Sequence, residues 1–353
     1  MSFGERVRAA RRMAGLSQEE LAARMGVTKQ SISKYEKDIM RPQSSTTLIS
    51  AAQALQVPVD YFFRETLPEP LRVRYRKRAS MPAKSLSGIT ERVSDSLERY
   101  LELEELLGIK SEFSAPARHT GLRTADAALF SARELRKDWG VGETIAVPSV
   151  SQLLEDRGIR LVAVSGFKDF DGLSGFCGDE PFIAIDDRRP KERLRFTMLH
   201  ELAHILFWAD GHRDDKDDER HCQLFASEFL LPAAALRSEL AERARRAITP
   251  PELLQIKEKY GISMQAILYR SHLLGLLSDA GYGAALRDFG TRGWRKNEPG
   301  EFPGTERPLR FERLLFRAIA EDAISLSKAA SLSMLSLDDL RHRLSGADAA
   351  RDK

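Results

Sequence analysis

One stretch of this chain, Arg193-Leu-Arg-Phe-Thr-Met-Leu-His-Glu-Leu-Ala-His-Ile-Leu-Phe-Trp208, restricts what it can fold into more than any other. It has the apolar content of a buried helix, yet it carries His200, Glu201 and His204 in the pattern H-E-x-x-H. Histidines four residues apart share one helical face, so both imidazoles can reach one ion while Glu201 sits beside them. An apolar helix has no packing reason to bury two histidines and a carboxylate, since unpaired polar groups are costly there. A metal is therefore expected, and zinc suits such a donor set. The helix also needs a sheet to lie on. Gly158–Val164, Leu173–Cys177 and Phe182–Ile185 read as strands, the last two separated by the turn-like Gly178-Asp-Glu-Pro181, which implies a small antiparallel or mixed sheet. Helical stretches Ala125–Trp139 and Ser149–Arg157 precede it.

A catalytic zinc takes three protein ligands and leaves a fourth position open. Phe207 and Asp210 stand where the metzincin pattern needs Gly and His, which excludes that class. The downstream candidates are His212, the acidic run Asp214–Glu219, His221 and Glu228. Glu219–Pro232 reads as a helix with Cys222, Phe225, Ala226, Phe229 and Leu230 inward. Glu219, one turn from Cys222, is favoured; Glu228 is expected on the polar side and the other acids in a solvated loop. Zinc would acidify an attacking water, and Glu201 would take its proton as general base and deliver it to the leaving amine. That is peptide hydrolysis. Leu173–Cys177, if it edges the site, can pair with an extended substrate backbone. Tyr260, Tyr269, Arg270 and His272 are all candidates to stabilise the oxyanion.

The other end of the chain faces a different partner. Residues 1–80 carry 15 Lys+Arg against 8 Asp+Glu, a surplus of +7, and the whole chain is only +3. A small basic module suits nucleic acid. Apolar residues at helical spacing from Phe3 to Met13 end at Gly15, the capping box Ser17-Gln-Glu-Glu starts a second helix that stops at Gly26, and Thr28 opens a third through Glu36. The third shows mostly Thr, Lys, Gln and Ser, side chains suited to a major groove. Leu16-Ser-Gln-Glu-Glu-Leu-Ala22, Gly26-Val-Thr28, Ser31-Ile-Ser-Lys-Tyr-Glu36, Arg41-Pro42 and Val57-Pro-Val-Asp-Tyr-Phe-Phe63 resemble the Xre/Cro-type helix-turn-helix of phage repressors. The resemblance implies that Gln18 touches a phosphate, that Thr28, Lys29, Gln30 and Ser31 meet bases, and that Lys34 and Arg41 lie along the backbone of a double-stranded DNA operator. It also implies a homodimer reading two half-sites.

Gly172-Leu-Ser-Gly175, Arg193-Leu-Arg-Phe-Thr197 with His200-Glu-Leu-Ala-His204, Glu219 with Phe225-Ala226 and Leu230-Leu-Pro232, and Tyr260-Gly-Ile-Ser263 through Tyr269-Arg270 resemble the ImmA/IrrE zinc metallopeptidases over about residues 115–278. The resemblance puts the third ligand on Glu219. Two positions depart from the family: Cys222-Gln223 where Ala-Asn or Ala-Asp is common, and Trp208 where a His is common.

The fold class expected is therefore multidomain: an all-α helix-turn-helix domain (1–66), a linker and connecting helix ending near Gly108 (67–114), an α+β zincin-like metallopeptidase domain (115–278) and a helical C-terminal extension (279–353). The basic run Arg72–Arg78 could extend the DNA footprint or be a solvated linker. Thr249–Ser278 has a helix-Gly261-helix shape too apolar for a groove and reads as core; Trp294–Pro308 reads as loop, followed by helices over Phe311–Leu326 and Leu337–Leu344. No apolar stretch long enough for a membrane span occurs, and the two cysteines, Cys177 and Cys222, offer no disulfide framework, so a cytoplasmic protein with free thiols is expected. These features imply a DNA-bound regulator whose zinc endopeptidase cleaves a repressor-type protein carrying a similar helix-turn-helix, in a stress or mobile-element switch. The alternative is a non-proteolytic regulator or antitoxin-like protein whose zincin-like domain senses a ligand or partner.

Overall fold

The structure, a computed structural model, describes residues 1–42, 44–64, 82–110, 113, 124–207 and 216–346. The basic run Arg72–Arg78, Trp208 and the ligand candidates His212, Asp214 and Asp215 lie outside the described residues. At the N-terminus, α1 (Phe3–Met13), α2 (Gln18–Met25), α3 (Lys29–Glu36) and α4 (Ser45–Leu55) precede a 3-10 turn at Val59–Phe63. Ser2 and Ser17 each form a capping box, and Gly26 closes α2 in the left-handed region that a Cβ would disfavour. Val7, Ala10, Leu21, Ile32, Leu55 and Tyr61 pack in its core. The buried Glu36 carboxylate accepts from Arg11 and Gln18, fastening α3 to α1 and α2.

The connecting helix α5 (Ala83–Leu106) does more than connect. Its Ile89, Val93 and Leu97 cover one face of a three-stranded sheet, against Val162, Phe182 and Ala184. The strands are β1 (Arg160–Ala163), β2 (Gly172–Cys177) and β3 (Glu180–Ile185), in the order β1-β3-β2. β1 runs parallel to β3, and β2 antiparallel, so the sheet is mixed. Pro181, expected in the turn, lies within β3 opposite Phe176, which shortens the turn to Gly178-Asp179. Alternation along β3 turns Ile183 and Ile185 to the other face, into the main core. There they meet Met198, Leu199 and Leu202 of α8 (Lys191–Phe207).

Around this layer stand α6 (Ala125–Asp138), α7 (Val150–Asp156), α9 (Lys216–Leu230), α10 (Ala233–Leu240), α11 (Pro250–Tyr260) and α12 (Met264–Leu273). Met264, Ile267 and Leu268 of α12 are fully buried, as the apolar content of that segment predicts. Next come α13 (Asp279–Thr291), α14 (Arg310–Ala320), α15 (Leu326–Ser333) and α16 (Leu337–Leu344). The helix expected over Phe311–Leu326 stops at Ala320, because Asp322 enters the left-handed region at φ 54°, and Ser325 caps a further helix, Leu326–Ser333, that was not expected. The loop after α13 is tied down at three points. Glu298 accepts from the Met264 and Gln265 N–H groups, Phe302 N–H donates to Glu192, and Glu306 accepts from Val150 and Ser151 N–H and pairs with Arg195. No helix among the described residues is long and apolar enough to cross a membrane.

Candidate metal centre and nucleic-acid interface

α8 presents His200 and His204 side by side, and α9 brings Glu219 across to them. Their ligand atoms all lie within 4.8 Å of one another, the only such cluster among the described residues. The spacings are 3.1 Å between the two Nε2 atoms, 3.5 Å from His200 Nε2 to Glu219 Oε1 and 3.0 Å from His204 Nε2 to the same oxygen. A tetrahedral ion at zinc's bond lengths of about 2.0–2.1 Å holds neighbouring donors about 3.3 Å apart. Two imidazoles and one carboxylate with open access fit a catalytic rather than a fully enclosed structural site. His200, Glu201 and Glu219 line an open cleft of roughly 1130 Å³.

Two further side chains attach to this centre, and neither was singled out for its role from sequence. Ser174 of β2, buried, donates from Oγ to Glu201 Oε2 at 2.8 Å. The approach is possible because Gly172 lacks a side chain: a Cβ there would stand 2.6 Å from Thr197 Cγ2 and 3.5 Å from Glu201 Cγ. Cys222 Sγ lies 3.3 Å from His204 Nδ1. With Nε2 turned to an ion, Nδ1 carries the ring hydrogen and the sulfur accepts it, which fixes the ring's orientation. The signal for Ser174 was its place in Gly172-Leu-Ser-Gly175; that for Cys222 was its position one turn past Glu219. Neither Cys177 nor Cys222 is in a disulfide.

Other expectations change. Glu228, expected on the polar side, is buried and paired with Arg270 of α12, which also donates to Leu231 O at 2.5 Å. That engagement keeps Arg270 out of the cleft. Tyr260 donates to Glu239 at 2.9 Å, and burial with that carboxylate raises its phenol above the usual range. Tyr269 is exposed and His272 stacks on Tyr282 at 4.7 Å. None of the four oxyanion candidates lines the cleft. The segment read as loop, Trp294–Pro308, does, through Trp294, Arg295, Lys296 and Arg307. β2 is an edge strand of the sheet.

In the N-terminal module Thr28, Lys29, Gln30, Lys34 and Arg41 are exposed, and Ser31 and Gln18 are half-buried. Thr28 caps α3 by accepting from Ser31 N–H, and its hydroxyl lies 3.0 Å from that of Ser31. The Gln18 amide nitrogen is held by Glu36 at 2.8 Å, while Lys29 stands 3.6 Å from Glu19. Thr28, Lys29, Gln30 and Lys34 thus turn the start and one face of α3 to solvent.

Fold and site together define a two-part protein, a small all-α helix-turn-helix joined to an α+β zincin-like domain with a helical extension. Residues 7–62 match the family model of a helix-turn-helix, and residues 155–272 match that of an IrrE N-terminal-like domain. The chain thus joins an Xre/Cro-type helix-turn-helix to a domain of the ImmA/IrrE peptidase family. Its N-terminal part is similar to an uncharacterized HTH-type transcriptional regulator of Sinorhizobium medicae, 45% identical over 62 residues, or 18% of this chain and 44% of that protein. It is also similar to an uncharacterized transcriptional regulator in the ATPase CF(0) region of Rhodospirillum rubrum, 48% identical over 62 residues, or 18% of this chain and 56% of that one. The chain spans about half the length of these curated relatives.

Proposed function

We propose that this protein is a DNA-binding transcriptional regulator whose second domain is a zinc-dependent endopeptidase acting on a repressor-type protein. The observation that carries the reading is the convergence of His200, His204 and Glu219 beside a Glu201 that Ser174 holds in place. Zinc held by these three residues supplies Lewis acidity and acidifies water at neutral pH. The chain's own residues do the rest. Glu201 takes a proton from the attacking water and passes it to the amide nitrogen as the C–N bond breaks, leaving a carboxylate and an amine. Ser174 keeps that carboxylate aimed, and Cys222 keeps the His204 ring turned. An extended substrate segment would add to the outer edge of β2, at its half-buried end Phe176-Cys177. The DNA module supports the regulatory half, since Thr28, Lys29, Gln30 and Ser31 start α3 where bases are met and Lys34 and Arg41 flank them. A substrate with its own helix-turn-helix would meet the peptidase at the operator, at raised effective concentration.

The test is mass spectrometry of cells carrying either wild type or Glu201→Gln. The reading expects discrete fragments of a DNA-binding protein with wild type and none with the variant, zinc content being equal. If purified zinc-loaded protein cleaves no candidate repressor while a small ligand changes its DNA binding, the domain is a sensor.

A further inference from the structure

The cleft that opens on His200 and Glu201 has one wall that the peptidase family's span does not supply. The matched span is residues 155–272, whereas Trp294, Arg295, Lys296 and Arg307 come from the loop after α13. That loop is held in place. The Gln265 amide nitrogen donates to Trp294 O at 3.4 Å and to Arg295 O at 3.2 Å, and Glu298 accepts from the first N–H groups of α12. Trp294 also packs edge-on against Phe289 at 5.4 Å, which anchors the start of the wall.

The mouth of the cleft is positively charged. Five exposed cations line it, Arg188, Arg193, Arg295, Lys296 and Arg307, against two exposed carboxylates, Asp187 and Glu301. The deeper carboxylates are already engaged: Glu192 and Glu298 flank Lys257 at 3.6 and 3.4 Å, and Glu306 pairs with Arg195. Of the two exposed ones, Glu301 is taken by Lys191 at 2.9 Å and Asp187 acts on its neighbour Arg188. Three of the five cations likewise have partners within the chain, Arg188 on Asp186 at 2.9 Å, Arg193 on Asp171 at 2.7 Å and Arg307 on Glu312 at 3.6 Å. Arg295 and Lys296 do not. Arg295 donates to Leu286 O at 3.2 Å, which ties the guanidinium down without neutralising it, and Lys296 has no carboxylate at ion-pair distance among the described residues.

We propose that Arg295 and Lys296 are specificity-determining residues that bind acidic side chains of the protein segment entering the cleft. The proposal rests on the peptidase reading for the use of the cleft, and on the charge of this wall for what enters it. A substrate carboxylate gains charge-assisted hydrogen bonds from a guanidinium and an ammonium that have no other counter-charge. A nucleic acid is the other polyanion such a wall could meet. His200 and Glu201, buried in the cleft, favour the peptide: an extended chain can thread down to them, whereas a duplex would carry phosphates toward the Glu201 and Glu219 carboxylates.

Fluorescence anisotropy of zinc-loaded, full-length Glu201→Gln protein tests it, with two labelled peptides that differ only in having a central Glu-Glu or Gln-Gln pair. The Glu-Glu peptide should bind at least tenfold tighter at low salt, and the preference should shrink as salt is added. Arg295→Glu with Lys296→Glu should abolish it and favour a Lys-Lys peptide instead, with zinc content unchanged. Arg295→Gln with Lys296→Gln is the milder pair should the reversal disturb folding. Lys29→Ala with Lys34→Ala should leave the preference intact, which separates the cleft from the basic N-terminal module. Equal affinity for the two peptides, or a preference that survives loss of both cations, overturns the proposal. A drop in operator affinity in the double variant with peptide binding unchanged also overturns it, and marks the wall as a nucleic-acid contact. A protein that shows the preference and holds zinc, yet whose wild type cleaves nothing, supports charge selection by the wall and removes only the peptidase reading.

Discussion

At Glu306 a single carboxylate joins three pieces of the molecule: it accepts from the N–H groups that start α7 and pairs with the fully buried Arg195 of α8. Glu306→Ala leaves a guanidinium buried without its counter-charge, for which a loss of about 3–5 kcal/mol is expected, measured as a lowered urea midpoint. Gly172→Ala tests a different kind of contact. The added methyl meets Thr197 and the Ala184 carbonyl, so about 1–3 kcal/mol of destabilisation is expected from overpacking, again by urea titration. Residues of this kind were hard to read from sequence. H-E-x-x-H is local, because helical periodicity alone puts His200 and His204 on one face, and Glu219 followed from the inward face of its own helix. Ser174 and Cys222 were visible only as neighbours of a motif or a ligand, and their contacts, like the Glu228–Arg270 pair, depend on which elements meet.

At the scale of elements, α3 is where a sequence-specific reading can be separated from a charge effect. Lys29→Ala or Gln30→Ala should reduce discrimination between operator and random duplex by about 1–3 kcal/mol if the side chain contacts a base edge. Lys34→Ala should weaken both duplexes alike and flatten the salt dependence. Fluorescence anisotropy at several salt concentrations distinguishes them, and equal losses from all three changes would mean that α3 reads no bases. Elements with strong signals were legible: α1 by its apolar spacing and Gly15 stop, α2 by its capping box, the strands β1 to β3 and the long apolar α8. α13 was not, because Gly281, Gly283 and Gly290 dilute its helical signal. The early end of α14 and the whole of α15 were missed, because apolar residues continue past the left-handed Asp322 and the Ser325 cap that separate them.

The whole molecule is organised on α5. One side of it covers the sheet, and the other holds the helix-turn-helix through Arg6 to Glu98 at 2.9 Å, Arg12 to Glu91 at 2.8 Å and Arg64 to Asp95 at 2.7 Å. The DNA-facing module is thereby coupled to the helix that backs the sheet carrying Ser174. Replacing Asp95 and Glu98 together by Ala leaves Arg6 and Arg64 buried without carboxylates, so calorimetry should show the helix-turn-helix melting apart from, and below, the rest of the chain. The charge asymmetry of the sequence pointed to two functions, but not to a shared supporting helix, since residues 67–114 carry no pattern that says what α5 covers. The central claim is that α8 and α9 together make a zinc centre served by Glu201, and elemental analysis of purified full-length protein tests it most directly. One zinc per chain is expected in the wild type and in Glu201→Gln, and none in His204→Ala or Glu219→Ala; a wild type that binds no zinc, or a Glu219→Ala protein that keeps a full equivalent, would contradict it.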